Sequence, residues 1–168
     1  TIPIVEDALK EHGLGETENP PKPGVHPGDS FIHAMPGYLP RKRAAGLKWV
    51  SSFSGNTALA IPPVMGLVIL NDVQTGQPLA VMDCRWITAM RTGAASAVAA
   101  KFLAAKDAGV VGIVGAGVQG RYNLLALVAA VPSIETVRVF DINPQTLNGF
   151  VAALANVLEV KIEIGKSP

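Results

Sequence analysis

An α/β chain is predicted, mixed in its first part and built on a parallel sheet in its last third, and three observations predict it. The apolar run Val110-Val111-Gly112-Ile113-Val114 ends in Gly115-Ala116-Gly117-Val118-Gln119-Gly120 and opens into Arg121-Tyr122-Asn123-Leu124-Leu125-Ala126-Leu127. That is the pattern of a buried strand, a tight turn and a helix. A second apolar strand follows, Thr136-Val137-Arg138-Val139-Phe140-Asp141, whose last residue is acidic. Earlier, residues 66–72 and 78–83 flank Val73-Gln74-Thr75-Gly76-Gln77, which reads as a hairpin with Gly76 at a positive φ.

The glycine pattern is weak alone, because glycine is 17 of 168 residues. Strand, turn, helix, strand and acid in that order strengthen it. In a dinucleotide-binding unit Gly115 would make the turn, Gly117 would let backbone N–H groups reach a pyrophosphate, and Gly120 would let helix and strand pack closely. The phosphates would sit at the helix N-terminus, next to Val118 and Gln119, where unpaired N–H groups and the helix dipole favour negative charge. Asp141, at the end of the second strand, stands where a carboxylate grips the adenosine ribose hydroxyls. A carboxylate there repels a 2′-phosphate, and Ile142-Asn143 follow it rather than arginine, so NAD is favoured over NADP. The plainer account is a parallel-sheet turn with a solvated aspartate.

Hydrophobic residues make up 49% of the chain, which fits a sheet covered on both faces. The longest apolar run, 58–70, has 13 residues and contains Pro62, Pro63 and Gly66, too short and too broken for a bilayer. A net charge of +1 gives no case for nucleic acid or an anionic membrane as partner, and Arg41-Lys42-Arg43 reads as a solvated face. One cysteine, Cys84, fits a reducing compartment, so a cytoplasmic location is expected. His12, His26 and His33 lack metal-ligand spacing, and no metal is expected.

In chain order, residues 5–12 read as the end of a helix and 13–28, rich in Gly and Pro, as loop. Residues 31–37 read as a strand ending in a turn at Pro36-Gly37, and 47–53 as another. Lys48 lies among apolar residues, and pattern alone leaves open whether it points to solvent from the sheet's open face. Thr88 is expected to cap a long alanine-rich helix over 89–105. Arg91-Thr92-Gly93 then falls in the first turn, where a cation opposes the helix dipole. Either an anion binds there, held by the guanidinium, the Thr92 hydroxyl and free N–H groups, or Arg91 is a surface residue paired with a carboxylate. After Asp141, Pro144 suits a helix start, with 145–156 helical and 159–164 a third strand. A dinucleotide fold uses two such halves and only βαβαβ is present, so a piece of a longer protein is expected. The expected organisation is a mixed α/β domain over 1–105 and the first half of a Rossmann domain over 106–168.

Five blocks in this order resemble the ornithine cyclodeaminase and mu-crystallin family: His33-Ala34-Met35-Pro36, Gly46-Leu47-Lys48-Trp49-Val50, the hairpin from Leu70-Asn71-Asp72 to Thr75-Gly76-Gln77-Pro78, Thr88-Ala89-Met90-Arg91-Thr92-Gly93-Ala94-Ala95, and Gly115-Ala116-Gly117-Val118-Gln119-Gly120. The resemblance implies that the first domain binds substrate and forms a homodimer. It implies that Lys48 and Arg91 bind the substrate α-carboxylate, with Arg91 and Thr92 also near the coenzyme. Val118 and Gln119 match its pyrophosphate contacts, and Asp141 its ribose ligand. Where the family has a further arginine, Lys22 is the nearest candidate, and lysine supplies charge without a bidentate fork. The family's catalytic aspartate would lie beyond residue 168.

The activity this implies is NAD-dependent conversion of L-ornithine to L-proline and ammonia. Hydride leaves Cα to give an imine, the δ-amine closes on that carbon, ammonia departs and hydride returns. The alternatives are an NAD(P)H-dependent ketimine or cyclic-imine reductase, an amino-acid dehydrogenase, or a mu-crystallin-like binder of nucleotide and small ligand.

Overall fold

The computed structural model describes residues 1–167 as two compact units, one of residues 7–88 and one of residues 1–6 with the chain from Ala89 onward. The first carries most of helix α1 (Ile2–Gly13) and an antiparallel sheet of β1 (Gly24–Val25), β2 (Phe31–Leu39), β3 (Ala44–Ser52), β4 (Val64–Asn71) and β5 (Pro78–Asp83), hydrogen-bonded in that order. The turn expected at Pro36-Gly37 is absent. β2 runs on to Leu39, with Pro36 opposite Leu47 and Gly37 opposite Gly46. Within the expected loop, β1 pairs with β2, Gly24 opposite His33.

The β2–β3 turn holds the basic cluster, and it is less bare than its composition suggests. Arg41 pairs with Glu16, Lys42 Nζ lies 2.6 Å from Asp7, and the Arg41 backbone N–H donates to the buried Glu11 carboxylate at 2.7 Å. The β4–β5 hairpin forms as expected, with Gly76 at φ 73°. There Asp72 Oδ1 accepts from the N–H groups of Gln74 and Thr75.

Helix α2 (Cys84–Leu103) corrects the expected start. It begins four residues before Thr88, because Asp83 closes β5 and its carboxylate accepts the Arg85 N–H at 2.8 Å, the bond that an N-cap makes. Thr88 is therefore inside the helix, and Arg91 is its eighth residue. The clash between a first-turn cation and the helix dipole no longer applies, since that effect fades beyond one turn.

The second unit contains the parallel sheet β6 (Val110–Val114), β7 (Thr136–Phe140) and β8 (Lys161–Ile164), in the order β6-β7-β8. Helices α3 (Val118–Ala130) and α4 (Pro144–Leu154) make the two crossovers. Ile113, Leu124, Val137, Val139, Phe150 and Leu154 form the centre of its core. Leu124, Val137 and Leu154 are wholly buried, each contributing about 1.5–3 kcal/mol of apolar transfer. At Gly93 in α2 an added Cβ would run into the Tyr122 carbonyl of α3, so the two backbones pack too closely for any larger residue.

Candidate functional site

The glycine turn between β6 and α3 has the geometry its spacing predicts, each glycine for a different reason. Gly115 sits at φ 96°, a conformation that L side chains rarely adopt, and its N–H donates to the Phe140 carbonyl at 2.8 Å. A Cβ at Gly120 would strike the Gly115 carbonyl, so helix and turn meet only without a side chain. Around Gly117 nothing lies within 4 Å of where a Cβ would be. Gly117 is also the N-cap of α3, and no side chain caps the helix. First-turn N–H groups have no partner within a helix, so this end can receive an anionic group of a ligand.

Asp141 stands directly beside the turn. Its Oδ2 accepts the Ala116 N–H at 2.7 Å and its Oδ1 accepts the Asn143 N–H at 2.8 Å. These donors, Asn143 first and Ala116 second, hold its carboxyl below the usual carboxylate range. Next to them is a recess of about 230 Å³ bordered by Ala116, Gly117, Val118, Arg121, Thr146 and Gly149. The space around Gly117, the uncapped helix and the ionised acid fit the pyrophosphate and ribose of a dinucleotide.

Gly115, Gly117, Val118, Gln119, Gly120 and Asp141 are thus assembled at one end of the parallel sheet. Arg91 and Thr92 are on α2 in the same unit, Arg91 exposed and Thr92 half-buried. Lys48 and Lys22 belong to the antiparallel unit. Lys48 is half-buried on β3 opposite Met35 and Val68, and Lys22 is exposed ahead of β1. His33 stacks on Phe31 with ring centres 4.2 Å apart, a packing role. Among the described residues no group of three His, Cys, Asp or Glu side chains could hold a metal ion. A larger recess of about 600 Å³, bordered by Glu18, Tyr38, Gly46, Asn71 and Asp72, is lined by none of the substrate- or coenzyme-binding residues expected from sequence. Sequence reading did not single out the Ala116 N–H as a partner of Asp141. Nor did it find the role of Asn143, although Asn before Pro144 is a helix-start signal.

A parallel βαβαβ unit with this turn is the first half of a Rossmann fold, which defines the class of protein. The model of the ornithine cyclodeaminase/mu-crystallin family matches residues 1–168. The chain belongs to that family. The nodulation efficiency protein NfeD of Rhizobium meliloti is 44% identical over 161 residues, covering 94% of this chain and 50% of that protein. An alanine dehydrogenase of Archaeoglobus fulgidus is 42% identical, covering 88% and 45%. An ornithine cyclodeaminase of Agrobacterium fabrum is 34% identical, covering 74% and 34%. Among solved structures, Thermococcus litoralis Δ1-pyrroline-2-carboxylate reductase in complex with NADH and L-proline superposes with TM-score 0.93 at 42% identity, covering 99% of this chain and 52% of that one. An archaeal alanine dehydrogenase dimer with bound NAD superposes with TM-score 0.90 at 38% identity, covering 98% and 50%. The chain spans about half the length of the curated relatives it matches.

Proposed function

We propose that this chain provides the coenzyme-binding turn and substrate-binding cations of an NAD-dependent enzyme that acts at Cα of an amino acid or its imine. The observation that carries this reading is the uncapped α3 N-terminus at Gly117 beside the ionised Asp141. NAD would supply hydride transfer at the substrate's Cα when bound. Asp141 would accept the adenosine ribose hydroxyls, and the Val118 and Gln119 N–H groups would face the pyrophosphate. Lys48, Arg91 and Lys22 would neutralise the substrate carboxylate, and Thr92 would lie near the coenzyme, as the family resemblance implies. In this reading residues 1–105 bind substrate and residues 106–168 begin the coenzyme domain.

Two versions of the chemistry fit. The residue blocks suggest ornithine cyclodeamination to proline and ammonia. The half-cycle, imine reduction or amino-acid oxidation, is favoured by one observation: relatives named reductase or alanine dehydrogenase reach 42% identity, against 34% for an ornithine cyclodeaminase. Assay of the intact protein separates them. Ammonia and proline formed from L-ornithine with catalytic NAD⁺ select the cyclodeaminase. NADH consumption with Δ1-pyrroline-2-carboxylate, or with pyruvate and ammonium, selects the half-cycle. Coenzyme binding with none of these activities selects a binder.

A second copy of the chain is the proposed partner. Trp49 and Leu67, opposite each other on β3 and β4, are each 46% exposed, and Val81 on the same face is 61% exposed. That apolar surface suits a homodimer, and sedimentation of the intact protein tests it. Among the described residues no helix is long and apolar enough to cross a membrane. A cytoplasmic setting is proposed from the single free thiol, Cys84, which is buried.

A further inference from the structure

We propose that Asp141 is a positioning residue as well as a ribose ligand, fixing the glycine turn through the Ala116 N–H before any coenzyme arrives. The inference rests on the functional reading above for its coenzyme arm only. The turn is held at three points. Gly115 donates its N–H to the Phe140 carbonyl, Gly120 packs against the Gly115 carbonyl, and between them Ala116 donates to Asp141 at 2.7 Å. The other oxygen of Asp141 accepts the Asn143 N–H at 2.8 Å, and the Asn143 side chain accepts from Gln145 and Thr146 at the start of α4. A chain of bonds therefore runs from the glycine turn through Asp141 to the cap of the next helix.

Ribose recognition alone does not require this arrangement. A carboxylate reserved for two hydroxyl groups would point into solvent until they came, whereas here each oxygen already receives a backbone donor. Each oxygen keeps a lone pair for a hydroxyl, so ribose binding and turn geometry use the same group. An asparagine at 141 would match only one of the two N–H donors, because its amide nitrogen would face the other donor.

The test uses the intact protein, its Asp141→Asn variant, NAD, and an NAD analogue lacking the adenosine 2′- and 3′-hydroxyls. If Asp141 sets the turn, the variant binds the analogue more weakly than wild type by about tenfold, the order expected for losing one charge-assisted hydrogen bond. Equal affinity of the two proteins for the analogue would overturn the proposal, however much NAD itself is weakened. The second readout needs no coenzyme. In the wild-type amide spectrum, the Ala116 and Asn143 resonances should move together as pH falls, with one shared midpoint below the usual carboxylate range. An Ala116 amide that does not respond, or that exchanges as fast as an exposed one, would contradict the latch. This second measurement decides the latch even if the protein binds no NAD, a result that would remove the functional reading alone.

Discussion

Helices α3 and α4 lie in one unit, follow neighbouring parallel strands and begin in opposite ways. At α4, Asn143 accepts hydrogen bonds from the Gln145 and Thr146 N–H groups, and Pro144 occupies the first position, where no N–H is needed. At α3, Gly117 stands in the cap position with no side chain to offer and open space around it. One helix satisfies its own N-terminus and the other leaves it for something else. A glycine cap costs only a few tenths of a kcal/mol relative to a polar one, so leaving α3 open is cheap for the fold. What the difference teaches is where an anion can be received: at the end that the chain itself does not close.

The contrast breaks most severely at Gly120. Its replacement by alanine pushes a Cβ into the Gly115 carbonyl, and overpacking of this kind costs about 1–3 kcal/mol. We expect a lower thermal midpoint together with loss of NAD binding, read by calorimetry on the same preparation. Asn143→Ala opens the closed helix instead and should cost about 1 kcal/mol in denaturant unfolding, the usual value of an N-cap. Because the Asn143 backbone N–H still reaches Asp141, NAD affinity should change far less than in Gly120→Ala.

Acid should act on the junction between the two helices. Asp141 has a folded pKa below its ordinary value of 3.8, so its contribution to stability is complete above that value. It is lost as pH falls through the lower, folded value. Unfolding followed from neutral pH downward should show a part of the acid sensitivity that Asp141→Asn removes. A variant with an unchanged acid profile would mean that the two backbone bonds to Asp141 contribute nothing.

The glycine turn could be read from sequence because its three requirements are local: a positive φ at Gly115, open space at Gly117 and a contact five residues away at Gly120. Asp141 could be placed for the same reason, since strand, turn and helix lengths fix the end of the next parallel strand. The start of α2 could not be read. Cys84-Arg85-Trp86-Ile87 continue the apolar pattern of β5, and Asp83 reads equally as a strand end or a cap, so Thr88 stood out as the more obvious N-cap. Its displacement took away the dipole argument for Arg91, whose expected role now rests on family resemblance. Gly93 was legible only as part of a motif, because what it makes room for is the Tyr122 carbonyl on another helix. The β2 strand outran its expected end because Pro36 can sit in a strand where its missing N–H costs no ladder bond.

Gly117→Ser is the sharpest probe of the comparison. Serine is a better cap than glycine and has room, so it should stabilise α3 by about a few tenths of a kcal/mol while filling the place of the ligand's anionic group. Thermal unfolding and NAD titration of the intact protein should therefore move in opposite directions, with the midpoint unchanged or slightly raised and the affinity sharply reduced. NAD bound as tightly by Gly117→Ser as by wild type would contradict a coenzyme site at the open end of α3.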